Sequence, residues 1–279
     1  MDMTITILAE NSAAPGGIGE WGFSALVETE GRRVLFDTGA GTAALMNATA
    51  LKKDLAGLDA IVLSHGHYDH TGGLYDVLER SGPVNVYAHP DVFASKYGSL
   101  DGSPPRFIGI ATKREALEAR GATFNLSARP QRISESITTT GEVPLATEYE
   151  SVEDYLKVKQ GDSLEHDPLA DDLSLVIETE YGLVVLLGCA HRGIVNNLLR
   201  AQQVTGRQDI YAAIGGTHLM HASRERLEST AGALLEMGVR YLGAAHCTGF
   251  KAAAYLSEVF GERFFPANAG TTLTLPFKS

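Results

Sequence analysis

The chain reads as an α/β protein on three observations. Short apolar runs of strand length alternate with stretches of helical spacing in its first and last thirds. Many of its 30 glycines stand directly after those runs, and several of its nine histidines sit at the same run ends. Apolar strands separated by helices imply sheets covered by helices, and glycine at a strand end permits the tight turns on which working side chains are displayed.

The elements follow in order. Residues 4–9 alternate as a strand, and a Gly/Pro loop fills 11–19. Residues 23–28 and 34–36 flank a turn at Glu30-Gly31 and predict a hairpin. Residues 42–55 have helical spacing with Thr42 as N-cap. Ala60-Ile61-Val62-Leu63-Ser64 is a buried strand ending at His65. A helix over 72–80 and a strand over 84–88 follow. From about 89 to 172, Pro, Gly, Ser and charges mix, with one helical stretch at 113–120. This predicts an insertion (about 90–172) roofing the active site within a single domain, 1–279. Regularity then returns: a hairpin from 173–179 and 183–187, a helix over 193–203, a strand over 210–214 and a helix over 223–237 capped by Ser223. A strand over 239–244, a helix over 251–260 and a last strand over 272–275 complete the pattern.

The 279 residues suffice for a substantial core. A formal net charge of −11 argues against a general nucleic-acid or membrane-surface binder, while leaving room for a local basic pocket. Only two cysteines occur, Cys189 and Cys247, which fits a reducing cytoplasm better than a disulfide framework. The N-terminal MDMTITILAENS lacks the basic and apolar regions of a signal peptide. No run approaches the roughly 20 apolar residues of a membrane span.

The chemistry concentrates in Ser64-His65-Gly66-His67-Tyr68-Asp69-His70-Thr71-Gly72-Gly73. Four metal-capable side chains fall within six residues there, between a buried strand and a helix. Neutral imidazole and carboxylate are ligands for zinc, iron and manganese. Residues two apart on an extended segment point the same way, so His65 and His67 can share one metal while Asp69 and His70 are offset toward a second. Clustering, context and glycines set the run apart from an incidental His-rich surface loop.

His65-x-His67-x-Asp69-His70 resembles the signature of the metallo-β-lactamase superfamily, and Phe36-Asp37-Thr38-Gly39 resembles its first motif. Gly188-Cys189-Ala190-His191, Gly215-Gly216-Thr217-His218-Leu219 and His246-Cys247-Thr248-Gly249 each follow an apolar strand. They are similar to a narrower branch that includes the archaeal-type dihydropterin–ribofuranosylaminobenzene 5'-phosphate synthases and many uncharacterised metallo-hydrolases. The resemblance spans nearly the whole chain and implies an αββα sandwich of two mixed sheets with outer helices. It implies one or two divalent ions, with zinc favoured and manganese, iron or magnesium as alternatives. It assigns His65 and His67 to one metal, and Asp69, His70 and His246 to the other. The remaining ligand is His191, with His166 as competitor. Cys189 stands where a bridging Asp is usual, and is either a further candidate to complete the metal site as a thiolate or a small buried residue beside it.

Further expectations follow from the resemblance. Asp37 orients the metal site from behind, or caps the following turn. Asp69 and His218 are the catalytic pair, Asp69 orienting the nucleophile and His218 transferring a proton. His89 and His221 are surface or supporting residues, Cys247 is packing, and Trp21 marks a pocket that departs from relatives. Lys96, Arg106 or Lys113 would grip an anionic small-molecule substrate. The implied reaction is metal-assisted hydrolysis of a phosphorylated substrate. A synthase releasing diphosphate and a non-catalytic metal or ligand sensor are the alternatives. A homo-oligomer is left open.

Overall fold

The computed structural model describes residues 3–99 and 102–277. The first half runs β1 (Met3–Ala9), β2 (Ser24–Thr29), β3 (Arg32–Phe36), α1 (Ala43–Ala50), β4 (Ala60–Val62), α2 (Tyr68–Thr71), α3 (Leu74–Ser81) and β5 (Val84–Ala88). The middle holds β6 (Lys96–Gly98), β7 (Arg106–Phe107), α4 (Arg114–Ala119), β8 (Ala122–Leu126), β9 (Ile137–Thr139), β10 (Leu156–Gln160) and β11 (Ser163–His166). The last part runs β12 (Ser174–Thr179), β13 (Gly182–Leu187), α5 (Ile194–Thr205), β14 (Ile210–Gly216), α6 (Arg224–Glu236), β15 (Tyr241–Ala245), α7 (Phe250–Phe260), β16 (Phe264–Pro266) and β17 (Thr272–Thr274).

Two large sheets result. One has seven strands in the order β17-β1-β2-β3-β4-β5-β8, the other six in the order β16-β15-β14-β13-β12-β9. Strand alternation explains why they stack. In β2 to β4, Ala25, Val27, Val34, Phe36, Ala60 and Val62 point inward, meeting Leu175, Ile177, Val184, Leu186 and Ile214 of the second sheet. The opposite faces, Leu26, Leu35 and Ile61 in the first sheet and Leu183, Val185 and Leu187 in the second, are covered by helices. Both faces of the middle of each central strand are therefore buried, so residues 25–27, 34–36, 60–62 and 183–187 are apolar without a break. The order of layers is α, β, β, α.

The predicted helix over 42–55 ends at Ala50, with Lys52 turning the chain at φ +56°. Thr42 does not cap it: its backbone is already helical (φ −98°, ψ −11°), whereas an N-cap side chain reaches the first turn from an extended backbone. The Glu20 carboxylate instead accepts from Ala40 N (3.1 Å) and Gly41 N (3.0 Å) just before the helix. Ser223 does cap α6, accepting from Arg226 N at 3.1 Å.

The middle segment is more ordered than its composition suggests. β8 and β9 are edge strands of the two large sheets, while β11-β10-β6-β7 form a separate small sheet. This small sheet carries Lys96, which corrects one expectation. Lys96 is 1% exposed and is no substrate grip. Its ammonium bonds Asp167 Oδ2 (2.8 Å) and Asp171 Oδ1 (2.9 Å), and the other oxygen of Asp171 accepts from Gly66 N (2.8 Å). Burial and two carboxylates on one side explain the pairing, because an unpaired buried ammonium would be prohibitively costly. The triad ties the small sheet to the His-rich loop. Lys96→Met leaves two buried carboxylates uncompensated and is expected to lower stability by about 3–5 kcal/mol in urea unfolding. A loss below about 1 kcal/mol would show that the triad contributes little.

Candidate metal centre

Parallel strands deliver the site. β3 and β4 run parallel, as do β13, β14 and β15. Directly after their C-terminal ends come Asp37, the His65–His70 run, Cys189 with His191, His218, and His246. This is where open α/β sheets gather functional groups. The turns are tight. Asp37, Ala190, His218 and His246 have φ between +50° and +56°, four of the seven positive-φ non-glycine residues among the described residues. Such conformations persist only where surrounding bonds hold them. Gly188 permits one close approach: a Cβ there would lie 2.0 Å from Ser64 Oγ and 3.0 Å from Asp37 Oδ2.

Asp37 organises the histidines. It accepts from Ser64 N (2.7 Å), Ser64 Oγ (2.6 Å) and His70 Nδ1 (2.7 Å). Because Ser64 Oγ gives its proton to Asp37, it accepts from His65 Nδ1 (2.9 Å), which leaves His65 Nε2 bare. His246 Nδ1 likewise donates to Asn11 Oδ1 at 2.9 Å. Three rings are thus tied from behind, with the opposite nitrogen turned inward, the arrangement that fixes metal-binding histidines.

The inward atoms form two adjoining sets. In one, His65 Nε2 lies 3.0 Å from His67 Nδ1 and 3.2 Å from His191 Nε2. In the other, His70 Nε2 lies 3.3 Å from His246 Nε2, which is 3.2 Å from Asp69 Oδ2. Cys189 Sγ is 3.1 Å from His70 Nε2. Ligands at about 2.0–2.1 Å around a tetrahedral metal stand about 3.3 Å apart, so these separations fit a divalent ion. His67 Nε2 and His191 Nδ1 are buried without a hydrogen-bond partner. His65, Cys189 and His191 form one group able to hold a metal, and His70, Cys189 and His246 another.

The electrostatics agree with this chemistry. Burial, and then the neighbouring histidines, hold His65 and His191 well below the ordinary histidine range. Burial lowers His67 to about 3 despite Asp69. These rings are neutral, as ligands must be. Burial opposes charge on His70 too, but Asp37 and Asp69 push it up to about 9. Against its own burial, Asp69 is held well below the usual carboxylate range by His70, His246 and His67. The two carboxylates favour positive charge at this point, whether carried by a proton or by a metal.

The donors floor a cavity of about 430 Å³, lined also by Trp21, Tyr68, Arg106, Ile108, Tyr155, Leu156, His218 and Cys247. Trp21 packs on His246, with ring centroids 4.9 Å apart. His218 is held by Glu153, whose Oε1 is 2.8 Å from His218 Nδ1. Burial opposes charge on His218, but the Glu153 hydrogen bond, together with the charges of Cys247 and Glu153, raises its pKa overall.

Other residues that the sequence singles out fall elsewhere. His166 sits on β11 with a side chain 43% exposed, 4.0 Å from Asp154, and is absent from the donor sets. His89 caps a short 3₁₀ turn, accepting from Asp91 N at 3.1 Å, and His221 is exposed. Lys113 is exposed beside a separate hollow with Phe93 and Ile110, leaving Arg106 as the member of that cationic trio that lines the cavity. Cys247 Sγ accepts from His218 N at 3.3 Å, more than inert packing. Against burial, its bond to Cys189 and the nearby His218 lower its pKa, while burial and the same bond raise that of Cys189. Sequence reasoning missed Glu153, Asn11, Glu10 and Asp171. None lies in a motif, and each reaches its histidine or loop from far along the chain, as when Glu10 Oε1 accepts from His246 N at 2.7 Å.

Comparison with known proteins places this architecture. The Metallo-beta-lactamase superfamily model matches residues 22–246, and the chain belongs to that superfamily. It is 35% identical over 263 residues to the 7,8-dihydropterin-6-methyl-4-(beta-D-ribofuranosyl)-aminobenzene-5'-phosphate synthase of Methanocaldococcus jannaschii, covering 89% of this chain and 88% of that protein. A solved metal-dependent hydrolase of the beta-lactamase superfamily is 30% identical and superposes with a TM-score of 0.85 over 97% of this chain and 98% of that one. Zn(2+)-bound PqqB from Methylobacterium extorquens, at 14% identity and a TM-score of 0.58 over 97% of this chain and 99% of that one, shares the fold.

The Glu153–His218 contact generates a direct prediction. Glu153→Gln removes the charge that raises the His218 pKa, so the ring should titrate at lower pH in NMR. An unmoved titration would show that Glu153 does not set the charge of His218.

Proposed function

We propose that this chain is a metal-dependent enzyme that cleaves a small phosphorylated substrate with water as the acceptor. The observation that carries this reading is the pair of adjoining donor sets on the floor of a cavity of about 430 Å³. His65, His67 and His191 would hold one ion, and Asp69, His70 and His246 the other. Imidazole-rich ligation favours zinc, with iron, manganese and magnesium following. Such ions polarise a phosphoryl oxygen and lower the pKa of water toward about 7.

The chain's own residues divide the remaining work. Asp69, kept ionised, accepts a hydrogen bond from the attacking water and orients it. His218, held by Glu153, which raises its affinity for a proton, donates a proton to the leaving oxygen from the cavity wall. Asp37 fixes the rings of His65, through Ser64, and His70. Arg106 at the rim pairs with an anionic group of the substrate. Two free, buried cysteines fit a reducing cytoplasm.

A second reading is favoured by the 35% identity to the synthase over nearly the full length of both chains. There an amine-bearing or carbon nucleophile replaces water, and the same residues stabilise departing diphosphate. Product analysis with a pterin-methyl diphosphate, with and without the ribosyl-aminobenzene partner, separates the two. Diphosphate release without a coupled product supports hydrolysis, and a coupled product supports the synthase. His67→Ala should bind about one equivalent less metal per chain in elemental analysis of protein reconstituted with zinc. Unchanged metal content would remove His67 from the ligand set.

A further inference from the structure

The loop before β10 and the turn after β14 meet in the cavity wall, beside the donor sets of the floor. Glu153 comes from the first and His218, at φ +50°, from the second. Glu153 Oε1 is 2.8 Å from His218 Nδ1, and the Arg226 guanidinium lies 3.6 Å from the same oxygen. The other oxygen, Glu153 Oε2, is buried without a hydrogen-bond partner. His191 stands against this pair, its ring centroid 4.1 Å from that of His218. Its Nε2 is 3.2 Å from His65 Nε2, while its Nδ1 is buried and unpartnered. Glu153, His191 and His218 offer donor atoms that all lie within 4.8 Å of one another. His218 lines the cavity, so the cluster opens onto it. Two buried polar atoms left without partners in one cluster are costly unless something satisfies them.

We infer that Glu153, His191 and His218 form a third cation position, in the cavity wall, for zinc or a divalent ion of similar softness. Two imidazoles and one carboxylate are a ligand set that zinc accepts, with the fourth place left to water from the cavity. Glu153 supplies its free oxygen, His218 a nitrogen, and His191 the nitrogen that the floor does not use. With the floor loaded, the His191 ring bridges two ions. Its Nδ1 proton then leaves to solvent, both nitrogen lone pairs are donated, and no oxidation state changes. The Arg226 guanidinium beside Glu153 repels a cation, so this position is weaker than the floor and fills only when the ion is in excess. An ion there takes the nitrogen of His218. Its effect on turnover rests on the hydrolytic reading above: the third ion removes the proton donor and opposes the reaction that the other two support.

The test is equilibrium dialysis of chelator-stripped full-length protein against rising zinc, with bound metal read by elemental analysis. Wild type should take up about three equivalents, the third at least about tenfold more weakly than the first two. Glu153→Gln and His218→Asn should each stop at about two, the first two equivalents serving as the check that the variant is folded. In wild type, the His218 ring signals in NMR should shift over the third equivalent alone. If a variant binds no ion at all, this wild-type titration decides. A third equivalent retained in either variant, or one that leaves the His218 signals unmoved, would overturn the position. Saturation of wild type at two would overturn it while leaving the metal centre on the floor intact, and uptake of none would overturn both. Hydrolysis of a p-nitrophenyl phosphodiester should fall as the third ion binds. Turnover that stays constant through the third equivalent would overturn the opposing role and leave the position standing.

Discussion

The buried carboxylate of Asp37 is the interaction on which the site depends. It sits at φ +56° directly after β3 and spans to the end of β4 through the amide and hydroxyl of Ser64. Through His70 Nδ1 it reaches the start of the next helix. One acceptor thereby sets the orientation of two imidazoles, His70 directly and His65 by way of Ser64. Three bonds, two from side chains and one from backbone, saturate a fully buried charge that would otherwise be destabilising. The same charge raises the affinity of His70 for a proton, or for a cation that takes the proton's place.

A consequence is that the site is assembled from strained turns held by distant partners. His246 shows the pattern. Its φ is +53°, its amide donates to Glu10, its carbonyl accepts from Asn11 Nδ2, and its ring donates to Asn11 Oδ1. The loop after β1 therefore positions a residue more than 230 positions later in the chain. Gly66 is fixed in the same manner by Asp171, itself neutralised by Lys96. The inward-facing rings of His65, His70 and His246 are held from behind by Ser64, Asp37 and Asn11, the feature that distinguishes a built site from a chance cluster.

This explains what was legible in the sequence. The unbroken apolar runs in β2, β3, β12 and β13 encode burial on both faces, so the strands and their covering helices could be read, while their stacking as two sheets followed from the family resemblance. The His65–His70 run was legible because its ligands lie adjacent in sequence. β10 and β11 were not, because Leu-Lys-Val-Lys-Gln and Ser-Leu-Glu-His are polar and mostly exposed. Their pairing is set by β6, almost 60 residues upstream. Lys96 misled for a related reason: a lysine in a polar segment reads as solvated, and nothing local reveals two aspartates more than 70 residues away. Glu153 was invisible because its partner His218 lies 65 residues on, across a different sheet.

The distribution of donors between the sheets ties metal binding to the fold itself. His65, His67, Asp69 and His70 follow a strand of the seven-stranded sheet, while Cys189, His191 and His246 follow strands of the six-stranded one. Along most of their shared face the sheets are joined by apolar contact, Phe36 and Val62 meeting Leu186 and Ile214. At the strand ends the facing groups are imidazole, thiol and carboxylate, and desolvating these without a cation between them is unfavourable. An ion that binds the closed pair of sheets but not the separated chain stabilises the fold in proportion to the logarithm of its concentration over Kd. The apolar core thus determines which sheets meet. A metal ion held by the donors at their edge would make that meeting more favourable.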